Sequence, residues 1–234
     1  GNLSYKSVFF FIDAIEFLSE DIQKKYYGLG LTKPKNQTFV GNCSFIDIDK
    51  MYISPKKNKI IAGAARLEPE KNIPLVVEVA NILINKMKLK INIELLIPNE
   101  GAEVVKEKIK LYKLEKSFEI LFSDNPETNL SDSLIFLSLQ DHNNYPSQLL
   151  LEAMACGCAI IATDVGETSK LVDKNVGFLT QKTSIDIAEK ISHLIKDFDA
   201  TLKLGLNARD RIVNRHTIDN YGSYVKTIYK NILE

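Results

Sequence analysis

The chain has 234 residues, 45% of them hydrophobic and 26% charged, which is enough apolar material for one sizeable core or for one domain and part of a second. Lys+Arg and Asp+Glu each number 30, so no net field draws the molecule to nucleic acid or to an anionic membrane surface. No run of about 18 apolar residues occurs, and the most apolar early stretch, 8–12, ends at Asp13; a soluble, cytoplasmic protein is expected.

Residues 1–55 hold a strand-like piece at 15–18, a helix from Ser19 to Tyr27 capped by Ser19, and then Gly and Pro punctuation. Residues 49–55 read as a linker. The expected division is therefore 1–55, the end of one domain and its linker, and 56–234, a second domain. From Lys59 onward, short β-branched runs at 59–62, 91–97, 118–122, 134–137, 159–163 and 177–179 alternate with helical periods at 73–88, 102–114, 146–156 and 168–172. That alternation predicts βαβ units, hence an α/β fold with a Rossmann-like parallel sheet and helices on both faces. In the first of these helices Val76, Val79, Ala80, Leu83 and Met87 form one stripe, which is expected to pack on the sheet. After the last strand the pattern is wholly helical, at 184–196, 201–212 and 218–233.

Three cysteines, Cys43, Cys156 and Cys158, match neither a disulfide scaffold nor a zinc site, and buried thiols in a reducing compartment are expected. Asn-x-Ser/Thr sequons start at Asn2, Asn36, Asn42 and Asn129; with no signal-peptide pattern they read as by-products of an Asn-rich composition. The weight of Lys, Asn and Ile is that of an AT-rich genome and points to a bacterial source.

Two segments carry candidate chemistry. The first runs Gly63-Ala-Ala-Arg66-Leu-Glu-Pro-Glu-Lys71-Asn72 at the carboxyl end of a parallel strand, where open α/β sheets bind ligands. Arg66 offers a planar fork and Lys71 a point charge, and the two can converge on a diphosphate. Alone, the segment reads more simply as a solvated loop in which both cations pair with Glu68 and Glu70. Asn72 is placed to cap the next helix and Pro74 suits its first turn. The second segment runs Asn143-Asn-Tyr-Pro146-Ser147-Gln148-Leu-Leu-Leu-Glu152-Ala-Met-Ala-Cys-Gly157, a helix bounded by Pro146 and Gly157. From Leu149 to Ala155 every residue except Glu152 is apolar. A carboxylate in that setting costs several kcal/mol unless it is bonded, against a whole-domain stability of about 5–15 kcal/mol. Glu152 therefore has a structural partner or faces a cleft, where it could accept bonds from ligand hydroxyls such as those of a ribose. Gln148 lies four residues earlier on the same helix face, and the free N–H groups of the first turn would receive phosphate.

Weaker signals surround these. Asp164 and Glu167, in the turn 163–168, could hydrogen-bond a sugar, and turn formation explains them equally well. No G-x-G-x-x-G or G-x-x-x-x-G-K-[ST] pattern is present, and His142, His193 and His216 have no metal-ligand spacing.

The Arg66-Leu-x-x-x-Lys71 loop and the run from Asn144 through Glu152 to Gly166 together resemble the C-terminal, donor-binding domain of family 4 retaining glycosyltransferases of the GT-B fold. The resemblance extends from Lys59 to the end, and the second segment is its specific part. Phe17-Leu-Ser19-Glu20 and Phe39-Val40-Gly41-Asn42 also look like the last βα unit of the N-terminal domain and the interdomain crossover. The family implies transfer, with retention, of a hexosyl unit from a UDP- or GDP-linked sugar to a glycan or lipid-linked acceptor, in bacterial surface polysaccharide biosynthesis. It implies that Arg66 and Lys71 neutralise the diphosphate as the sugar leaves. Glu152 matches the second acid of the E-x7-E pattern and would hold the ribose, while Gly63, Asn144, Tyr145, Pro146, Ser147 and Gln148 would line the donor site. Front-face transfer of this kind needs no metal or other cofactor, and the implied partners include no nucleic acid. Peripheral association with the inner face of the membrane would run through the N-terminal domain.

Three departures qualify this. The first acid of the pattern should fall at 144, or at 143 for the Tyr-Pro-Ser-Gln variant of the loop, and both positions are Asn; either Asp141 substitutes from a shifted position, or the enzyme handles its donor sugar differently, or activity is reduced. Ala65 also replaces the glycine that often precedes the arginine. A GT-B enzyme needs an N-terminal domain of well over 100 residues, so the isolated chain is expected to bind nucleotide and to catalyse poorly. Two other readings remain: a non-catalytic nucleotide-sugar-binding module, and a nucleotide-sugar epimerase of similar architecture.

Overall fold

The computed structural model describes residues 12–30, 37–41, 44–63, 67–123 and 125–234. Arg66, Cys43, Ala65 and the sequons at Asn2, Asn36 and Asn42 lie outside the described residues.

Strands β1 (Ala14–Phe17) and β2 (Gln37–Val40) pair in parallel as a separate two-stranded sheet, with helix α1 (Glu20–Gly28) between them in the chain. Ser19 caps α1 as its sequence predicts, its hydroxyl accepting from the Ile22 amide at 3.2 Å. The six apolar runs become β3 (Lys59–Gly63), β4 (Ile93–Leu96), β5 (Phe118–Leu121), β6 (Ser133–Ser138), β7 (Ala159–Thr163) and β8 (Gly177–Thr180). They form one all-parallel sheet in the order β5-β4-β3-β6-β7-β8. Helices α2 (Ile73–Asn81), α3 (Glu103–Leu111), α4 (Glu127–Asp132), α5 (Gln148–Ala155), α6 (Ser184–Lys196), α7 (Phe198–Arg215) and α8 (Ile218–Leu233) complete the chain.

The period of two along each strand sends its residues into two cores. Ile60 and Ala62 of β3 join Val76, Val79, Ala80 and Leu83 of the α2 region and Ile187 and Ile191 of α6 on one face. Ile61 joins Phe136, Leu151, Met154, Ala208 and Ile212 from β6, α5 and α7 on the other. Both faces are covered, which is why the strands read as continuous apolar runs.

Some expectations change. The predicted helix 73–88 is regular only to Asn81; Ile82–Lys86 is a π turn, and the Met87 amide bonds back to Ile82 O at 2.9 Å. The wider turn rotates Met87 off its stripe, and it is 37% exposed. The predicted 168–172 helix shrinks to a 3-10 turn, Thr168–Lys170. Helix α4, six residues and largely polar, has no periodic signal to read.

Because β4 and β5 lie on one side of β3 and β6 lies on the other, the winding direction reverses between β3 and β6. The carboxyl ends of those two strands flank the crevice where doubly wound sheets take ligands.

Candidate functional site

The segments leaving β3 and β6 enclose a cleft of about 320 Å³ whose walls include Gly63, Glu68, Lys71, Gln140, Asn144, Pro146, Ser147 and Gln148. Gly63 keeps the floor open: a Cβ there would stand 2.8 Å from Leu149 Cδ2 and 3.1 Å from the Leu96 carbonyl oxygen, so the Leu149 side chain would have to shift. Its bare backbone lets α5 approach the end of β3.

Lys71 overhangs this cleft. Its ammonium donates to Gln140 Oε1 at 3.2 Å, and among the described residues no carboxylate lies within ion-pair distance of it, Glu68 and Glu70 included. The solvated ion-pair reading of the loop therefore fails for Lys71. Asn72 does not cap α2 as predicted. It adopts left-handed backbone at φ 51°, and its amide donates to Leu139 O at 2.8 Å and to Asp141 Oδ1 at 2.7 Å. The Asp141 amide returns a bond to Glu70 O at 2.9 Å. These bonds stitch the Lys71 loop to the end of β6, a use of Asn72 that local sequence cannot signal because its partners lie 67 and 69 residues away.

Helix α5 starts at Gln148 rather than at Pro146, with Ser147 in extended backbone before it. The Leu151 amide is the first to find a helical acceptor, Ser147 O, so the preceding amides of the turn point outward beside the cleft. Glu152 sits one turn along, half-buried, and accepts from Gln148 Nε2 at 3.2 Å. No cation pairs with it among the described residues. Burial pushes its carboxyl up, the Gln148 bond opposes that, and Glu127 across from it adds to the rise. Glu152 is not in the wall of the cleft itself; Gln148 links the two.

The Asn pair divides its work. The Asn143 amide donates to Asp21 Oδ2 at 3.3 Å, while its carbonyl oxygen accepts from the Tyr145 amide at 3.1 Å and the Glu167 amide at 3.5 Å. Gly166, at φ 54°, accommodates it, since a Cβ there would stand 2.1 Å from Asn143 Cγ. Asn144 is exposed and lines the cleft. Tyr145 turns away from that cleft into a smaller cavity behind it, packs on the second core, and precedes Pro146 in a cis peptide. Asp141 is engaged elsewhere: Lys182 and Asn72 hold its carboxyl below the ordinary range against a smaller opposing effect of burial. Glu167 is buried; its Oε1 pairs with Lys170 at 3.0 Å, which also reaches Glu20 at 3.5 Å, while its Oε2 has no hydrogen-bond partner among the described residues. Cys156 and Cys158 are buried free thiols.

An α/β domain with a cation and a helix N-terminus over a cleft at its switch point is equipped for an anionic, phosphate-bearing ligand. A family model, glycosyl transferases group 1, matches residues 34–211, and the chain belongs to that family. Its relatives include poly(ribitol-phosphate) alpha-N-acetylglucosaminyltransferase of Staphylococcus aureus (strain COL), 24% identical over 181 residues that cover 73% of this chain and 36% of that protein. The capsular polysaccharide biosynthesis glycosyltransferase CapM of Staphylococcus aureus is 23% identical over 93% of this chain and 61% of its own length. Among solved structures, Anabaena Alr3699/HepE in complex with UDP and glucose has a TM-score of 0.82 at 19% identity, covering 98% of this chain and 66% of that one. The chain thus spans about a third to two thirds of the length of these proteins. The architecture is that of GT-B glycosyltransferases.

Proposed function

We propose that this chain is the donor-binding part of a retaining hexosyltransferase that uses a UDP- or GDP-linked sugar and a glycan or lipid-linked acceptor in bacterial surface polysaccharide biosynthesis. The observation that carries this reading is the Lys71 ammonium, unpaired with any described carboxylate, over a cleft shared with the N-terminus of α5. In the proposed reaction the bond from the anomeric carbon to the diphosphate oxygen breaks, the acceptor hydroxyl oxygen bonds to that carbon on the same face and passes its proton to the departing phosphate, and Lys71, Arg66 and the α5 amides stabilise the charge that develops on that phosphate. Glu152 and Gln148 accept from and donate to the ribose, and Asn144 takes a sugar hydroxyl without adding charge. No metal is invoked. The UDP found in Anabaena Alr3699/HepE is consistent with a uridine donor.

Calorimetric titration with UDP, GDP and ADP tests this directly. Saturable binding of one diphosphate, weakened at least about tenfold in Lys71→Ala and in Arg66→Ala, is expected. Equal binding by the unaltered chain and both variants would overturn the assignment.

Asn143 and Asn144, where the family pattern has an acid, favour one second reading: a module that binds nucleotide sugar without transferring it. Incubating the protein, expressed with whatever sequence flanks it in its genome, with radiolabelled UDP-glucose or GDP-mannose and a lipid-linked glycan fraction separates the two. Label in the glycan supports transfer; binding without label supports the module.

A further inference from the structure

We propose that Gln140 is a positioning residue that aims the Lys71 ammonium into the cleft while leaving its charge free for the ligand's phosphates; this rests on the donor-site reading above. Gln140 lies just past the end of β6, beside the stitched Lys71 loop, and lines the cleft. Its side chain is fixed at both ends. Oε1 accepts from Lys71 Nζ at 3.2 Å and Nε2 meets Ser138 Oγ at 3.2 Å. An ammonium only donates, so the oxygen of the amide must face Lys71. The Gln140 main chain is held as well, its carbonyl accepting from Thr163 Oγ1 at 2.6 Å.

The neutrality of this partner is what matters. A carboxylate in the same place would locate Lys71 and also cancel it, and an incoming diphosphate would have to break an ion pair before gaining one. The neighbouring residue shows the contrast: Asp141 is neutralised by Lys182 and held by Asn72, so its charge is taken up away from Lys71. Gln140 thus gives Lys71 a fixed position at the cost of one neutral hydrogen bond, which phosphate oxygens can replace.

The test is a calorimetric comparison of UDP and uridine binding to the unaltered chain, Gln140→Met, Gln140→Glu, Lys71→Ala, and Gln140→Met combined with Lys71→Ala. Gln140→Met keeps the volume and removes the acceptor, and should weaken UDP about fivefold to tenfold while uridine changes less than about twofold. Gln140→Glu should weaken UDP more than Gln140→Met does. In the Lys71→Ala background, Gln140→Met should cost nothing further. The proposal is overturned if Gln140→Met weakens UDP equally in both backgrounds, if uridine falls in parallel, or if Gln140→Glu binds UDP as tightly as the unaltered chain. Should Gln140→Met melt well below the unaltered chain, Gln140→Glu, which preserves shape, carries the test. If the unaltered chain binds none of UDP, GDP or ADP, the donor-site reading itself fails and takes this inference with it. That failure shows in the first titration, before any variant is compared.

Discussion

Glu152 and Lys71 lie on opposite segments of the site and should fail differently. On the donor-site reading Lys71 meets the diphosphate, so Lys71→Ala should weaken UDP about tenfold or more and leave uridine nearly unchanged. On the same reading Glu152 accepts from the ribose, so Glu152→Gln should weaken UDP and uridine by similar factors; paired titrations check both. The same substitution should leave the melting temperature at pH 7 unchanged or slightly raised. Burial lifts the folded carboxyl above its ordinary 4.5, so ionised Glu152 costs stability at neutral pH, and that cost fades as pH falls through the folded pKa. A large drop in melting temperature would instead make Glu152 a structural acceptor. The cysteines give a simpler expectation. Burial pushes the Cys156 thiol up to about 12 and the Cys158 thiol up to about 11, so the native chain at pH 8 should show no iodoacetamide adduct at either position by peptide mass spectrometry, and both should label in urea.

Elements are joined here by close backbone approaches as much as by side chains. Gly205 sits inside α7, where a glycine costs about 1 kcal/mol relative to alanine. It stays because α7 crosses the turn after α5: a Cβ at Gly205 would stand 2.1 Å from Gly157 O and 2.9 Å from Gly157 C. Those are backbone atoms and cannot swing aside, so Gly205→Ala should destabilise by about 1–3 kcal/mol despite its better helix propensity, as read by urea unfolding. Periodicity revealed α7 and its apolar face, but not this contact, because a glycine in a helical pattern carries no label for what crosses it. Met87 is the reverse case, apolar and in phase by sequence, yet displaced by the π turn before it. The caps of α1 and α8 needed no tertiary information: Ser19 bonds the Ile22 amide, and Thr217 with Asn220 closes a capping box, all within three residues.

Across the whole molecule, the N-terminal segment is fastened to the C-terminal helices at His216. Its carbonyl accepts from the Ile46 amide at 2.7 Å, its ring meets Ser44 O at 3.4 Å, and Ile46 bridges to Thr217. Burial lowers the His216 pKa from 6.5, the Ser44 contact partly offsets this, and nearby Arg215 adds to the lowering. The unfolded chain therefore takes up the proton first as pH falls through 6.5, and stability should decline below that pH; in His216→Gln the urea midpoint should vary less over the same range. What the sequence determined by itself was most of the elements and the segments that carry charge: six short apolar runs, the long helical tail, the Lys71 loop and the Glu152 helix, all written in patterns a few residues long. The tertiary structure alone decided strand order and, with it, the meeting of the β3 and β6 ends that makes a cleft. It also decided that Asn143 braces the loop against Asp21 while Asn144 faces the cleft, and that Asn72 and Gln140 hold the Lys71 loop. These pairings join residues some 70 to 120 positions apart, and no local rule of propensity or spacing can express a partner that only the folded chain brings near.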